Sequence, residues 1–282
     1  MEVRPRELPV TGVELWLRDP YAIYARYVLK LRSLDRPDEP VEARARGDAV
    51  HKALQRFAER HEGEIGDGAA RAIEALMVEA LEEAGMPPSA MARERALAAQ
   101  AAIWLASFER RRRPGAQLLV ERKGQLPVQS GGFTLTLTAR ADRLELRERH
   151  VDILDFKTGQ APSKRQMESG FSPQLTLTAA IIEGGGFDGV GGVAPGELVY
   201  VRVTGGRKPG EELIRAAAGE TQILGQAALE GLRRRIGRFA SPDTPYLSWA
   251  APQYMHARGG DYDHLARVWE WHVIGEGEDA GE

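Results

Sequence analysis

Asp152-Ile-Leu-Asp-Phe-Lys-Thr-Gly159 is a short apolar run punctuated by charge. It reads as the end of a β-strand spanning Val151 to Lys157. Side chains alternate along a strand, so Asp155 and Lys157 project from one face and Phe156 from the other. A carboxylate beside an ammonium on one face also makes a plain salt bridge, so this pair alone leaves structure and chemistry both open.

The residues before it narrow the choice. Phe133, Leu135, Leu137, Ala139 and Ala141 alternate with Thr134, Thr136, Thr138, Arg140 and Asp142, the pattern of a half-buried strand. Gly131-Gly132 makes a hairpin turn back to a strand over Gln117 to Val128. If the Asp142 strand pairs with the next one through a turn near Glu148 to His150, two carboxylates converge beside one lysine. Like charges that close are unfavourable unless a cation neutralises them. Magnesium suits such a place, because it needs few carboxylates and keeps several waters. The ion would polarise a phosphoryl oxygen and acidify a bound water, while Lys157 would orient that water or stabilise charge developing on phosphorus.

Further out, Ser172 and Pro173 are expected as N-cap and first position of a helix running to about Glu183. A glycine-rich loop, Gly184 to Gly196, then leads to a strand over Glu197 to Thr204 and a long helix from about Gly219 to Ala240. The tail carries Pro242, Pro245 and Pro252 and ends in a short helix, His264 to His272. On the N-terminal side the spacing predicts helices: Thr11 capping one through Leu17, and another starting at Pro20. A polar connection (Ser33 to Pro40) precedes a third from about Glu42 to His61, with Val50, Leu54, Phe57 and Ala58 on one face. After a break at Gly63 to Gly68 come Ala69 to Ala84 and Ser89 to Arg113. Helices, three strands, a helix and a further strand predict an α/β protein with a mixed sheet packed by helices.

Composition sets the limits. Of 282 residues, 43% are apolar, enough for a core, and none is cysteine. That excludes disulfides, thiolate zinc, iron–sulfur clusters and a cysteine nucleophile. Any metal must sit on oxygen and imidazole, which favours magnesium or manganese. No apolar stretch approaches the roughly 20 residues that cross a bilayer, and Met1 to Pro9 is charged with no apolar leader. A soluble, cytoplasmic protein without a membrane partner is expected. The net charge of −3 gives no broad attraction for nucleic acid. Basic residues cluster at Arg110 to Arg113, where cations complement a helix end before Pro114, and at Arg233, Arg234, Arg235 and Arg238, which also fit a solvated helix face.

The order Asp142 … Asp155-x-Lys157 resembles the PD-(D/E)xK nucleases. Arg46-Gly-Asp-Ala-Val-His51, followed by Leu54 and Phe57, is similar to the Gly-x-x-x-His helix of the RecB and AddB nuclease branch. Ser172-Pro-Gln-Leu175 resembles the glutamine-bearing helix after the catalytic strand there. Arg18-Asp-Pro-Tyr-Ala-Ile-Tyr24 with Tyr27, and Tyr262-Asp-His-Leu-Ala-Arg267, resemble the entry and tail of AddB proteins of alphaproteobacterial type. The resemblance implies a restriction-endonuclease-like α/β core, a mixed sheet flanked by helices, with an N-terminal helical insertion. It implies one nuclease domain over 1–282: a mainly helical part at 10–113, a catalytic core at 114–240 and an extension at 241–282.

By the same resemblance His51, Asp142, Asp155 and the Phe156 carbonyl would be metal ligands and Lys157 the catalytic lysine. Gln174 would contact the centre or the DNA, and Glu121 would correspond to the acidic residue on the first strand. The implied activity is a Mg2+-dependent deoxyribonuclease, an exonuclease with Mn2+ as substitute. It would act on DNA ends in recombinational repair beside an AddA-type helicase–nuclease subunit. The rival reading is a catalytically idle DNA-end scaffold of the same complex; the intact Asp142, Asp155 and Lys157 favour activity. A nuclease of CRISPR adaptation shares the core but ordinarily brings cluster-binding cysteines. Two departures stand out: Asp19 occupies the position of a cluster cysteine, so no iron–sulfur cluster is expected, and Thr178 stands where relatives place a tyrosine. No Gly-x-x-x-x-Gly-Lys-Ser/Thr phosphate loop occurs, so the chain looks like the nuclease portion alone.

Overall fold

A computed structural model of the chain describes residues 4–34, 41–61, 63–254 and 259–275. A three-residue strand β1 (Glu7–Pro9) leads into α1 (Val10–Arg18) and α2 (Pro20–Ile23), which runs on as a π-helical turn over Tyr24–Val28. Three long helices follow: α3 (Val41–Arg60), α4 (Ala69–Glu83) and α5 (Pro88–Arg112). Then come β2 (Gln117–Ser130), β3 (Phe133–Leu146), β4 (His150–Lys157), α6 (Lys164–Glu168) and α7 (Gln174–Glu183). The chain continues through β5 (Ala194–Val203), β6 (Gly210–Ala216), α8 (Ala218–Ala240) and α9 (Val268–Gly275).

The period-two segments pair as their patterns require. β2 and β3 form a long antiparallel hairpin, closed by Gly131 and Gly132 at φ +57° and +74°. That pair of left-handed residues gives the turn a twist matching the strands, and glycine adopts it without steric cost. β4 runs antiparallel to β3 and parallel to β5, and β6 closes the edge antiparallel to β5. The result is a six-stranded mixed sheet in the order β1-β3-β4-β5-β6, with β2 on the other edge of β3.

Helices cover both faces. Leu154, Phe156, Val199, Val201 and Val203 pack against α3, α4 and α5 through Val50, Phe57, Ile73 and Leu105. Ile153, Leu198 and Tyr200 face the opposite layer, where Val13, Trp16, Leu177, Ile181, Leu232 and Ile236 come from α1, α7 and α8. Strands buried on both faces read as nearly unbroken apolar runs, which is why β4 and β5 look as they do in sequence. Among the described residues no helix is long and apolar enough to cross a membrane.

Several boundaries differ from expectation. Thr11 does not cap α1: the helix starts at Val10 with Pro9 as N-cap, because β1 holds the chain in the sheet up to Pro9. α7 starts at Gln174 with Pro173 as N-cap. Ser172 is buried and its hydroxyl accepts a hydrogen bond from Arg18 instead of capping. The last helix begins only at Val268, since Arg267 sits at φ +53°. β1, α6 and β6 were not anticipated: β1 and α6 are too short to show a period, and β6 is a glutamate-bearing edge strand. Residues 35–40 of the expected Ser33 to Pro40 connection lie outside the described residues.

The basic end of α5 does more than complement a helix dipole. Arg112 forms ion pairs with Glu145, Asp152, Glu197 and Glu212, and Arg113 with Glu109. Arg143, 2% exposed, bridges Glu109 and Glu145 from β3. This buried network ties α5 to the start of the β3–β4 pair.

Candidate active site

The site lies where β3 and β4 part. All of β3 from Arg143 to Leu146 pairs with β4, and Thr136 to Thr138 pairs with β1 on that same edge. Residues 139–142 pair with neither, and β4 beyond Leu154 bonds only to β5. A buried backbone N–H in such a gap needs another acceptor. The Phe156 N–H finds it in Asp142, donating to Oδ2 at 2.9 Å. Asp142 is thereby held at the fork of the two strands.

Three elements bring donors to this fork. His51 comes from α3, whose Val50, Ala53, Leu54 and Phe57 are buried and set its rotation. His51 Nδ1 lies 3.4 Å from Asp142 Oδ2. Glu121 comes from β2, opposite Asp142 between the pairs Val120–Arg143 and Arg122–Ala141, with φ +52°. A left-handed glutamate inside a strand costs energy, and such outliers gather at functional places. Potential ligand atoms of His51, Glu121 and Asp142 all lie within 4.8 Å of one another. Glu121 also pairs with Arg140.

Asp155 belongs to the adjoining set. Its Oδ2 is 2.7 Å from Lys157 Nζ, and Gln174 donates to its Oδ1. Lys157 also reaches Gln174 Oε1 at 3.5 Å. Gln174, at the first position of α7, thus clamps both β4 side chains. Thr178 donates to the Gln174 carbonyl at 2.8 Å, one turn on. Gly47 is not demanded by crowding: an added Cβ would meet only Thr158 Oγ1, at 3.6 Å.

The sequence reading missed Glu14 and Arg18. They form an ion pair one turn apart on α1, and Arg18 donates to the Phe171 carbonyl and Ser172 Oγ at 3.2 Å each. Arg18 thus braces the turn that presents Gln174. Arg18 opens the stretch that resembles the AddB entry segment, but that likeness assigned it no role. For Glu14 the signal was the i, i+4 spacing of opposite charges, which surface helices also carry.

The electrostatics are those of crowded acids. Burial first, then the charge of Asp155, pushes Asp142 up to about 6, against the opposing pulls of His51, the Phe156 N–H and Lys157. Burial likewise raises Glu14, with Asp155 adding to it and Arg18 and Lys157 opposing. For Lys157, burial pulls downward, but Asp155, Asp142 and Glu14 outweigh it and hold the ammonium above its ordinary value. Lys157 is therefore held as a cation near neutral pH and has protons to donate.

A pH dependence follows. Asp142 titrates higher in the fold than the ordinary 3.8, so the metal-free fold gains stability from this group as pH falls through about 6 towards 4. A cation held by Asp142 would compete with protons for that carboxylate. Manganese affinity is expected to fall about tenfold per pH unit below about 6 for one competing proton. Titrations of the metal between pH 5 and 7.5 check this; a flat profile would remove Asp142 from the ligand set.

A family model for the PD-(D/E)XK nuclease superfamily matches residues 7–249. An uncharacterized protein of Rickettsia bellii is 28% identical over 65% of this chain, and one of Rickettsia felis is also 28% identical over 65%. The chain spans about 22% of the length of these relatives. A crystal structure titled SSO0001 covers 72% of this chain and 90% of its own, at 14% identity and a TM-score of 0.29.

Proposed function

The chain belongs to the PD-(D/E)XK nuclease superfamily, and from that premise we propose that it is a divalent-metal-dependent deoxyribonuclease acting on DNA ends. The observation that carries the reading is the juxtaposition at the β3–β4 fork: a His51, Glu121 and Asp142 group beside a Lys157 clamped by Asp155 and Gln174.

The donor set fits a divalent cation. It offers two carboxylates and an imidazole, with Asp142 raised by burial and by the neighbouring Asp155 charge. We assign His51, Asp142 and Glu121 as side-chain ligands, with Asp155 and the Phe156 carbonyl completing the set. Magnesium, or manganese in its place, supplies Lewis acidity and an acidified water when bound. The residues do the rest. Asp155 and Gln174 fix the Lys157 ammonium, which donates to a phosphoryl oxygen and offsets the charge that develops there. Asp142, anchored by the Phe156 N–H, keeps its carboxylate at the fork.

The likeness to AddB nucleases, carried by His51, Asp155-x-Lys157 and Gln174, supports a finer assignment. The chain would be the nuclease unit of an AddAB-type helicase–nuclease, trimming ends as an exonuclease for recombinational repair, with residues 1–282 forming that one unit. Its partners would be DNA and an AddA-type subunit, in the cytoplasm. The trio Asp142, Asp155 and Lys157 favours catalysis over an idle scaffold, since binding DNA ends requires no such arrangement.

The test is cleavage of end-labelled linear DNA over a range of manganese concentrations. The wild-type chain should cleave only with metal. Because His51 is assigned as a direct ligand, His51→Ala should lose at least the roughly 10–100-fold in metal affinity that removal of an outer-shell partner costs, and recover part of its rate at high manganese. Asp155→Ala should not recover. Absence of metal-dependent cleavage would discard the catalytic reading, and a His51→Ala curve matching wild type would remove His51 from the site.

A further inference from the structure

A cavity of about 460 Å³ lies behind the helices that support the active site. Its floor is apolar: Val13 and Leu17 of α1, Leu177 of α7, and Leu224 and Leu232 of α8. Its rim carries Arg234, Arg235 and Arg238. The arginines sit at i, i+1 and i+4, so one helix face crowds like charges at the mouth of an apolar hollow.

Little nearby neutralises them. Arg235 donates to the Trp16 carbonyl at 3.0 Å and its guanidinium lies over the Trp16 ring. Arg234 has only a loose pair with Glu230 at 3.8 Å, both side chains more than half exposed. Arg238 makes no side-chain hydrogen bond or ion pair among the described residues. The single carboxylate in the lining, Glu168, is shared with Lys164. Adjacent uncompensated cations are unfavourable and call for an anion.

The cavity adjoins the catalytic centre through one short turn. Gly170 and Pro173 line it, and the next residue, Gln174, holds Asp155. Val13 and Leu17 line it from α1, while Glu14 and Arg18, their neighbours, face the centre and the Ser172 turn.

We infer that this Arg234–Arg235–Arg238 cavity binds a flanking nucleotide of single-stranded DNA whose other end occupies the catalytic centre. The guanidiniums take the phosphates and the apolar floor takes the base. Single-strand sites combine a basic track for the backbone with side chains that receive the bases, most often aromatic rings. Here the receiving surface is aliphatic, so the basic track is the shared feature. A duplex would not enter a hollow of this size. The inference rests on the nuclease reading but concerns binding, so the two can be separated.

The experiment measures binding of a fluorescent single-stranded oligonucleotide in EDTA across a salt series, for wild type, Arg234→Gln/Arg238→Gln and Arg233→Gln. Arg235 is left intact because it also holds Trp16. On a single strand, every phosphate deprived of its cationic partner reduces the slope of log affinity against log salt by about 0.7. The double variant should lower it by about 1.4, at an unchanged melting temperature, while Arg233→Gln, outside the lining, should match wild type. Equal slopes in all three proteins, or no binding by wild type, would overturn the site. Wild-type cleavage with manganese, measured separately, reports on the nuclease reading whichever way the slopes fall.

Discussion

Replacing Lys157 by alanine is expected to slow metal-dependent DNA cleavage by about 10²–10³-fold, the usual cost of removing one pre-aligned stabiliser of developing charge. The ammonium is 2.7 Å from Asp155 and braced by Gln174, so it does not reorganise when charge appears on the substrate. Its raised pKa, with Asp155, Asp142 and Glu14 overcoming the effect of burial, keeps it cationic near neutral pH. The loss should fall on the rate and not on the metal. Lys157 carries no lone pair for an ion while protonated, and its removal frees the Asp155 carboxylate. Calorimetric titration with manganese beside single-turnover cleavage distinguishes the two. A variant that cleaves at the wild-type rate takes Lys157 out of the chemistry; one that fails to bind metal makes it a structural partner of Asp155.

The largest effect on stability is expected from Arg143→Met. Arg143 is 2% exposed, and its guanidinium stands between Glu109, 1% exposed, and Glu145, fully buried. Removing it leaves two carboxylates facing each other without the charge that made their burial tolerable. Breaking a buried pair in this way costs about 3–5 kcal/mol. Arg113 and Arg112 still touch Glu109 and Glu145 and soften the loss, so the lower half of that range is expected. Urea denaturation of the metal-free protein gives the value directly. A change below about 1 kcal/mol would show that the surrounding arginines neutralise the acids unaided.

These two residues also mark what could be read in advance. Lys157 was legible because strand alternation is local: with period two, Asp155 and Lys157 must share a face wherever the strand lies. The same holds for the β2–β3 hairpin at Gly131-Gly132 and for α3, whose apolar spacing oriented His51. Arg143 was not legible. In Asp142-Arg143 it follows a candidate ligand on a strand, and nothing local says that Glu109, thirty-four residues earlier on α5, will close over it. The basic end of α5 likewise read as helix-end charge, whereas its Arg112 binds four acids drawn from β3, β4, β5 and β6.

Residue order and period were therefore enough for the α/β class, for most of the elements, and for the candidacy of Asp142, Asp155 and Lys157, while His51 and Gln174 became candidates only through the family resemblance. Those features arise from backbone geometry repeated every two or 3.6 residues, which a chain carries without knowing its neighbours. Tertiary structure alone decided how the candidates divide. The fork between β3 and β4 sets Asp142 with His51 and Glu121, and leaves Asp155 to Lys157 and Gln174. It also decided that Glu14 and Arg18 stand behind the centre and that the α8 arginines crowd a cavity beside it. Each of these depends on which strand edges stay unpaired and which helices cover them, and that is set by long-range burial.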